Sequence, residues 1–322
     1  MKRRQFIQMT TGTFLGAAVT EVAGRTLAAE PARPLTIACR DSHLKATGLP
    51  DTWSAMKELG VAGVEVAVDE DLSCPALYHP TRRYRVGTDE DRKTLQDDVR
   101  AAGRVITALC LSNRLDERFE QEVAWVRKVV QAAERLSVRV IRIDVVPRAL
   151  SQDAFGPFAI KACKQLCELV EGGPVRYGIE NHGNTTNDPA FLDRLFDGVG
   201  SKHLGLTLDA GNFYWYGHPL GSLYGIYTRF AGRAFHTHCK NIRYPEDRRE
   251  VRRPMGWEYD RYTCPLDEGD IDYGKVVRIL RGAGYTGDLC LENECLGKFP
   301  AAERGAVLKR EIAALRQAGE GV

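Results

Sequence analysis

The chain has 322 residues, 43% hydrophobic and 27% charged, which is ordinary globular composition and not that of a disordered or collagen-like chain. Its formal net charge is only +2, so it has no global attraction to nucleic acid. No long apolar run follows the N-terminus, and no transmembrane helix is expected in the mature body.

Residues 1–30 stand apart from the rest. They have a basic start, a mildly apolar middle and small residues at the end, the layout of a secretory signal. Arg3-Arg4 followed by Gln5 and Phe6 resembles a twin-arginine (Tat) export signal, which implies the Tat machinery as a partner and a periplasmic destination. Cleavage is expected after Ala28. Without this segment, which carries Lys2, Arg3, Arg4 and Arg25 against Glu21 and Glu30, basic and acidic residues balance. Nine cysteines are scattered with no CxxC pair, which argues against a zinc ribbon or a thioredoxin-type site. Cys39, Cys110, Cys239 and Cys290 lie in apolar runs and read as small buried hydrophobes.

Eight short runs rich in Val, Ile and Leu follow: residues 35–41, 63–68, 105–111, 138–145, 176–182, 204–212, 233–241 and 287–294. Such runs suit strands buried on both faces. Between them lie segments with apolar residues at three- and four-residue spacing, such as DERFEQEVAWVRKVVQAAERL, with Gly103, Gly172, Gly232 and Gly284 near the predicted helix ends. Strict alternation of strand and helix means parallel strands joined by crossovers, and eight units predict a single-domain (β/α)8 TIM barrel over 31–322. The alternative, an open doubly wound sheet, usually carries a glycine-rich phosphate loop after its first strand; here that strand leads into RDSHLKATG. Long connections at 69–88 and 242–270 follow strands two and seven and belong to the active-site face of a barrel.

Four strand ends carry chemistry. Glu180 ends strand five, Asp209 strand six, His238 strand seven and Glu292 strand eight. Asp209 lies 29 residues after Glu180, and His238 29 after Asp209, so one repeat separates each pair and all should sit at one height. Three carboxylates crowded together would raise each other's pKa values, a conflict that a divalent cation resolves. Three oxygen donors and an imidazole favour Mn²⁺, with Mg²⁺, Co²⁺ or Zn²⁺ also compatible. Structural use as caps or ion-pair partners is the alternative for any one of the four.

With these residues in place, the chain resembles the xylose isomerase-like TIM barrels over about residues 35–315. The superfamily includes sugar and sugar-phosphate isomerases and epimerases, inosose dehydratases and AP endonuclease family 2 proteins. PLDEGDIDYGKVVRILRGAGYTGDLCLENE is similar to its last quarter. The resemblance implies that Glu180, Asp209, His238 and Glu292 are metal ligands and that Glu180 and Glu292 exchange protons with a carbohydrate substrate. Arg243 matches a position that often contacts substrate. Asn212 stands where many members carry His, and this departure leaves the contact there open. The implied activity is a sugar or keto-sugar isomerase or epimerase acting through a metal-stabilised enediolate. The same apparatus can eliminate, so a dehydratase or lyase on a keto-sugar or keto-glycoside is the runner-up. The endonuclease branch would need three zinc ions and further His ligands, yet strands two and three end in EVAVDE and LCLSN. A non-catalytic sugar-binding barrel remains a third reading, on fold analogy.

Further substrate-binding candidates are His182, Lys240, Glu65 on strand two facing the barrel centre, and Trp215 in the aromatic stretch NFYWYGH, which can stack on a sugar or pack the rim. His236 is expected to point away from His238 as a packing or supporting residue. Arg248, Arg249, Arg252 and Arg253 read as a solvated loop or a phosphate grip, and their acidic neighbours favour the loop. The charged C-terminal helix fits a homo-oligomer or an outer barrel helix equally.

Overall fold

The computed structural model describes residues 34–320. The signal segment predicted over 1–30 lies outside the described residues. Each predicted apolar run contains a strand: β1 Thr36–Arg40, β2 Gly63–Ala67, β3 Val105–Cys110, β4 Val140–Ile143, β5 Arg176–Glu180, β6 Leu204–Asp209, β7 Ala234–His238 and β8 Asp288–Leu291. They form one parallel sheet in the order β8-β1-β2-β3-β4-β5-β6-β7. A parallel bridge between Cys239 and Leu291 joins the two edges, with Cys239 N–H donating to the Cys290 carbonyl at 2.8 Å and Glu292 N–H to the Cys239 carbonyl at 3.0 Å. The sheet thereby closes into a TIM barrel.

The helices between strands start and stop for local reasons. Thr88 and Asp91 form a capping box on the helix Asp89–Ala101, and Gly103 follows it with φ +63°. Asp188 caps Pro189–Val199 with proline at the first helical position, and Gly200 ends it with φ +68°. The helix Phe119–Leu136 buries Val123, Val126, Val129, Val130 and Ala133, a stripe at helical spacing that packs on the sheet. The loop 242–270 is not free chain. Asn241–Ile242 pairs antiparallel with Thr263–Cys264, and buried Arg253 stacks between Tyr214 and Tyr244 at 4.5 and 4.3 Å from their ring centres. Arg253 also donates to the His218 carbonyl at 2.9 Å, so it serves as a loop clamp and not as a phosphate grip. All nine cysteines are free, and eight are buried. Among the described residues no helix is long and apolar enough to cross a membrane.

Candidate metal centre

The closed barrel brings the four strand ends together. Asp209 and His238 are direct register partners on β6 and β7, and Glu180 pairs with Thr207 at the end of β5. Glu292 follows β8 and is tied through its own N–H to Cys239. Ligand atoms of Glu180, Asp209, His238 and Glu292 all lie within 4.8 Å of one another. His238 Nδ1 is 3.4 Å from Glu180 Oε1, 3.5 Å from Glu292 Oε2 and 4.0 Å from Asp209 Oδ2. All four residues are at most 4% exposed.

The local fold leaves the right atoms unused. Asp209 caps the short helix Ala210–Trp215: its Oδ1 accepts the Asn212 N–H at 2.8 Å. Its other oxygen, Oδ2, is buried without a hydrogen bond, and so is His238 Nδ1. Buried polar atoms are rarely left unpaired, so two of them converging beside two carboxylates fit a missing partner. The donor set suits a divalent cation, and these four side chains are the ones that would hold it.

Charged groups surround the four donors on every side. Arg142 of β4 donates Nε to Glu180 Oε2 at 2.7 Å, adds a second short contact from Nη2, and reaches Asp144 Oδ2 at 3.1 Å. Arg40 of β1 bonds Glu292 Oε1, and its Nε lies 3.0 Å from Glu65 Oε2. Lys240 Nζ lies 3.0 Å from Asp209 Oδ2, outside hydrogen-bond geometry, and donates to Glu292 Oε2 at 2.9 Å and Glu294 Oε1 at 2.6 Å. Burial opposes ionisation of Glu180, but Arg142 and His238 overcome it and hold the carboxyl below its usual range. Glu292 is likewise held well below its usual value against burial, by Lys240, His238 and Arg40. Asp209 goes the other way: burial pushes it up to about 8, Lys240 opposes, and the charges of Glu292 and Glu180 add to the rise. Burial would lower His238, yet Glu65, Glu292 and Glu180 raise it well above the imidazole norm. The positive charges of Arg142, Arg40 and Lys240 thus face the carboxylates, and the carboxylates in turn favour the protonated form of His238.

The predicted substrate residues fall into distinct places. Asn212 is 4% exposed and donates Nδ2 to Glu180 Oε1 at 2.9 Å, so it orients the Glu180 carboxylate. Lys240 touches two of the four donors. His182 is exposed at the mouth, with Nδ1 3.5 Å from Asp144 Oδ1. Trp215 is half-buried and packs under the loop, its carbonyl accepting the Gly256 N–H at 2.9 Å. Arg243 is exposed, and among the described residues its side chain has no ion pair or hydrogen bond; only its backbone is engaged, with Tyr262.

Two expectations change. Glu65 does face the barrel centre, but it is 1% exposed and both its oxygens lie 3.0 Å from His238 Nε2. It orients the His238 imidazole and is not placed to receive a sugar hydroxyl. His236 does not point away from His238. Residues two apart on a strand share a face, and His236 Nε2 lies 3.3 Å from the same Glu65, with Nδ1 2.8 Å from Asp288 Oδ1. Sequence reasoning misses Arg40, Arg142, Asp144 and Glu294. For Arg142 and Asp144 a signal exists: two charges at strand spacing inside the apolar run VRVIRIDV have no reason to be buried unless they pair.

Similarity to known proteins fits this architecture. No curated protein is similar to the chain at a significant level. Among solved structures, the IOLI protein with a bound zinc atom superposes with TM-score 0.63 at 16% identity, covering 88% of this chain and 99% of that one. The 3-keto-D-glucoside 4-epimerase YcjR of E. coli, in its apo form, gives 0.61 at 13% identity over 88% and 99%. An L-ribulose 3-epimerase gives 0.61 at 15% identity over 88% and 95%. At such identities the likeness is one of fold. The profile of the xylose isomerase-like TIM barrel family, however, matches residues 53–318, a span that runs from the helix before β2 into the C-terminal helix and includes all four strand-end donors. On that match the chain belongs to the xylose isomerase-like TIM barrel family.

Proposed function

We propose that this protein is a divalent-metal-dependent isomerase or epimerase of a sugar or keto-sugar. The observation that carries the reading is the placement of Glu180 and Glu292. They stand at the end of β5 and just after β8 and flank Asp209 and His238, each with one oxygen turned toward His238 Nδ1 and the other gripped by an arginine. Proton removal at one face of a carbon needs an ionised carboxylate and return at another needs a protonated one, roles that two fixed carboxyl groups at a common centre can divide between them. Arg142 and Arg40 hold the two carboxyl groups in place and favour the basic form of whichever one takes the proton, and Asn212 fixes the Glu180 rotamer. The near-complete burial of the four donors keeps bulk water from competing for the proton. A divalent ion, with Mn²⁺ favoured by the donor set, would supply Lewis-acid stabilisation of the negative charge that develops on adjacent substrate oxygens. Epimerases among the structural relatives support the substrate class. A second reading, elimination from a keto-sugar or keto-glycoside, draws on Lys240, whose ammonium beside Glu292 could stabilise a departing oxygen. The twin-arginine-like segment supports a periplasmic location for the mature protein.

The test is carbon–hydrogen exchange. Protein reconstituted with Mn²⁺ is incubated in D₂O with ketoses, keto-sugars and keto-glycosides, and deuterium at carbon is read by NMR. Exchange in wild type that is lost in Glu180→Gln and Glu292→Gln supports the reading. Absence of bound metal after reconstitution, or exchange that survives both substitutions, overturns it.

A further inference from the structure

The opposite end of the barrel, where the strands begin, holds a cavity of about 390 Å³. It shares no residue with the metal centre, so a ligand there would be independent of the proposed reaction. Its wall contains Arg139 and Arg176, brought side by side because Val140 and Arg176 are register partners and the Arg176 N–H donates to the Arg139 carbonyl at 2.9 Å. Among the described residues neither guanidinium has a carboxylate partner. Arg176 is held in place by its flat face, which lies 4.0 Å from the centre of the Phe235 ring. That stack leaves the N–H edge for another partner.

The seat for Phe235 is built in. The β6–β7 register shifts so that Leu206 pairs with Ala234 and Thr207 with His236, which leaves Phe235 as the extra, bulged residue. A Cβ at Gly205 would stand 2.6 Å from the Phe235 ring, so glycine is what admits the ring. Thr107 Oγ1, in the same wall, is buried with no hydrogen-bond partner. The one carboxylate lining the cavity, Asp288, is 2% exposed and already accepts from His236 Nδ1 at 2.8 Å and the Tyr285 hydroxyl at 3.1 Å. It does not neutralise the arginines. Burial and the charge of Arg139 both pull Arg176 below the arginine norm.

We infer that this lower mouth is a binding site for a compact oxyanion, either inorganic phosphate or the phosphate group of a small monoester, gripped by the guanidinium edges of Arg139 and Arg176. Paired arginines suit phosphate because each presents a planar fork of donors.

The test is calorimetric titration of the full chain at constant ionic strength with inorganic phosphate in one arm and glucose 6-phosphate in the other. Saturable binding that weakens by about tenfold or more in Arg139→Ala, and persists in Asp209→Asn, is expected from the loss of charge-assisted hydrogen bonds. Arg139 is exposed, and among the described residues its side chain makes no hydrogen bond or ion pair whose loss would weaken the fold. Arg176→Lys keeps charge and stem but not the fork, and it should also weaken binding. Tighter binding of the monoester identifies an organic ligand, and equal or tighter binding of inorganic phosphate identifies the free anion. No saturable binding in either arm, or binding unchanged in Arg139→Ala, overturns the inference.

Discussion

Replacing Arg142 by methionine tests how the centre is held together. Arg142 is 6% exposed and supplies donors to Glu180, Asp144 and the Leu111 carbonyl. Methionine fills much of the volume but leaves two buried carboxylates facing each other. Glu180 would keep only the Asn212 donor at 2.9 Å and His238 at 3.4 Å, and Asp144 would keep only His182 at 3.5 Å. Removing one partner of a buried pair costs about 3–5 kcal/mol. With an m-value near the upper end for urea, about 3 kcal/mol/M, the unfolding midpoint should fall by about 1–2 M. The loss should depend on pH with a definite sign. In wild type Arg142 and His238 hold the Glu180 pKa low against burial, and with Arg142 gone burial should raise it above the unfolded value. A raised folded pKa contributes stability that is present below the ordinary carboxylate value of about 4.3 and lost as pH rises through the new one. The deficit should therefore be larger at about pH 8 than at about pH 5. Urea unfolding of metal-free protein followed by circular dichroism reads both effects. A midpoint within experimental error of wild type, or a deficit that shrinks as pH rises, would refute the view that Arg142 is the counter-charge of this centre.

Two further outcomes are expected from the same geometry. Glu65→Gln keeps the shape behind His238 but removes the carboxylate at 3.0 Å from Nε2, and divalent-metal affinity should fall about 10–100-fold with the fold intact; an unchanged affinity by chelator competition would contradict its orienting role. Metal binding should also release protons. Asp209 stands up to about 8 and His238 well above its norm in the metal-free protein, so both must lose a proton to ligate, and affinity should weaken as pH falls from about 8. Calorimetry in buffers of different ionisation enthalpy counts those protons, and none released between about pH 6 and pH 8 would refute the account.

The strand-end donors are legible in the sequence for a simple reason. In a run of βα units each strand is a local event, set by an apolar run and closed by a turn, and equal spacing puts equivalent residues in one layer. Glu180, Asp209 and His238 sit 29 residues apart, and the structure places them together with Glu292. The barrel itself follows from counting alternations. What the sequence could not determine is which inward side chains meet across the barrel. That depends on strand tilt, stagger and bulges, which no local pattern encodes. Glu65 lies 173 positions from His238, and Arg40 lies 252 from Glu292, yet both pairs are in contact. The register shift that frees Phe235 to hold Arg176 is likewise a property of two strands packed together. Periodicity alone decides that a residue faces inward; only closure of the sheet decides whether it finds a metal, an arginine or a histidine there.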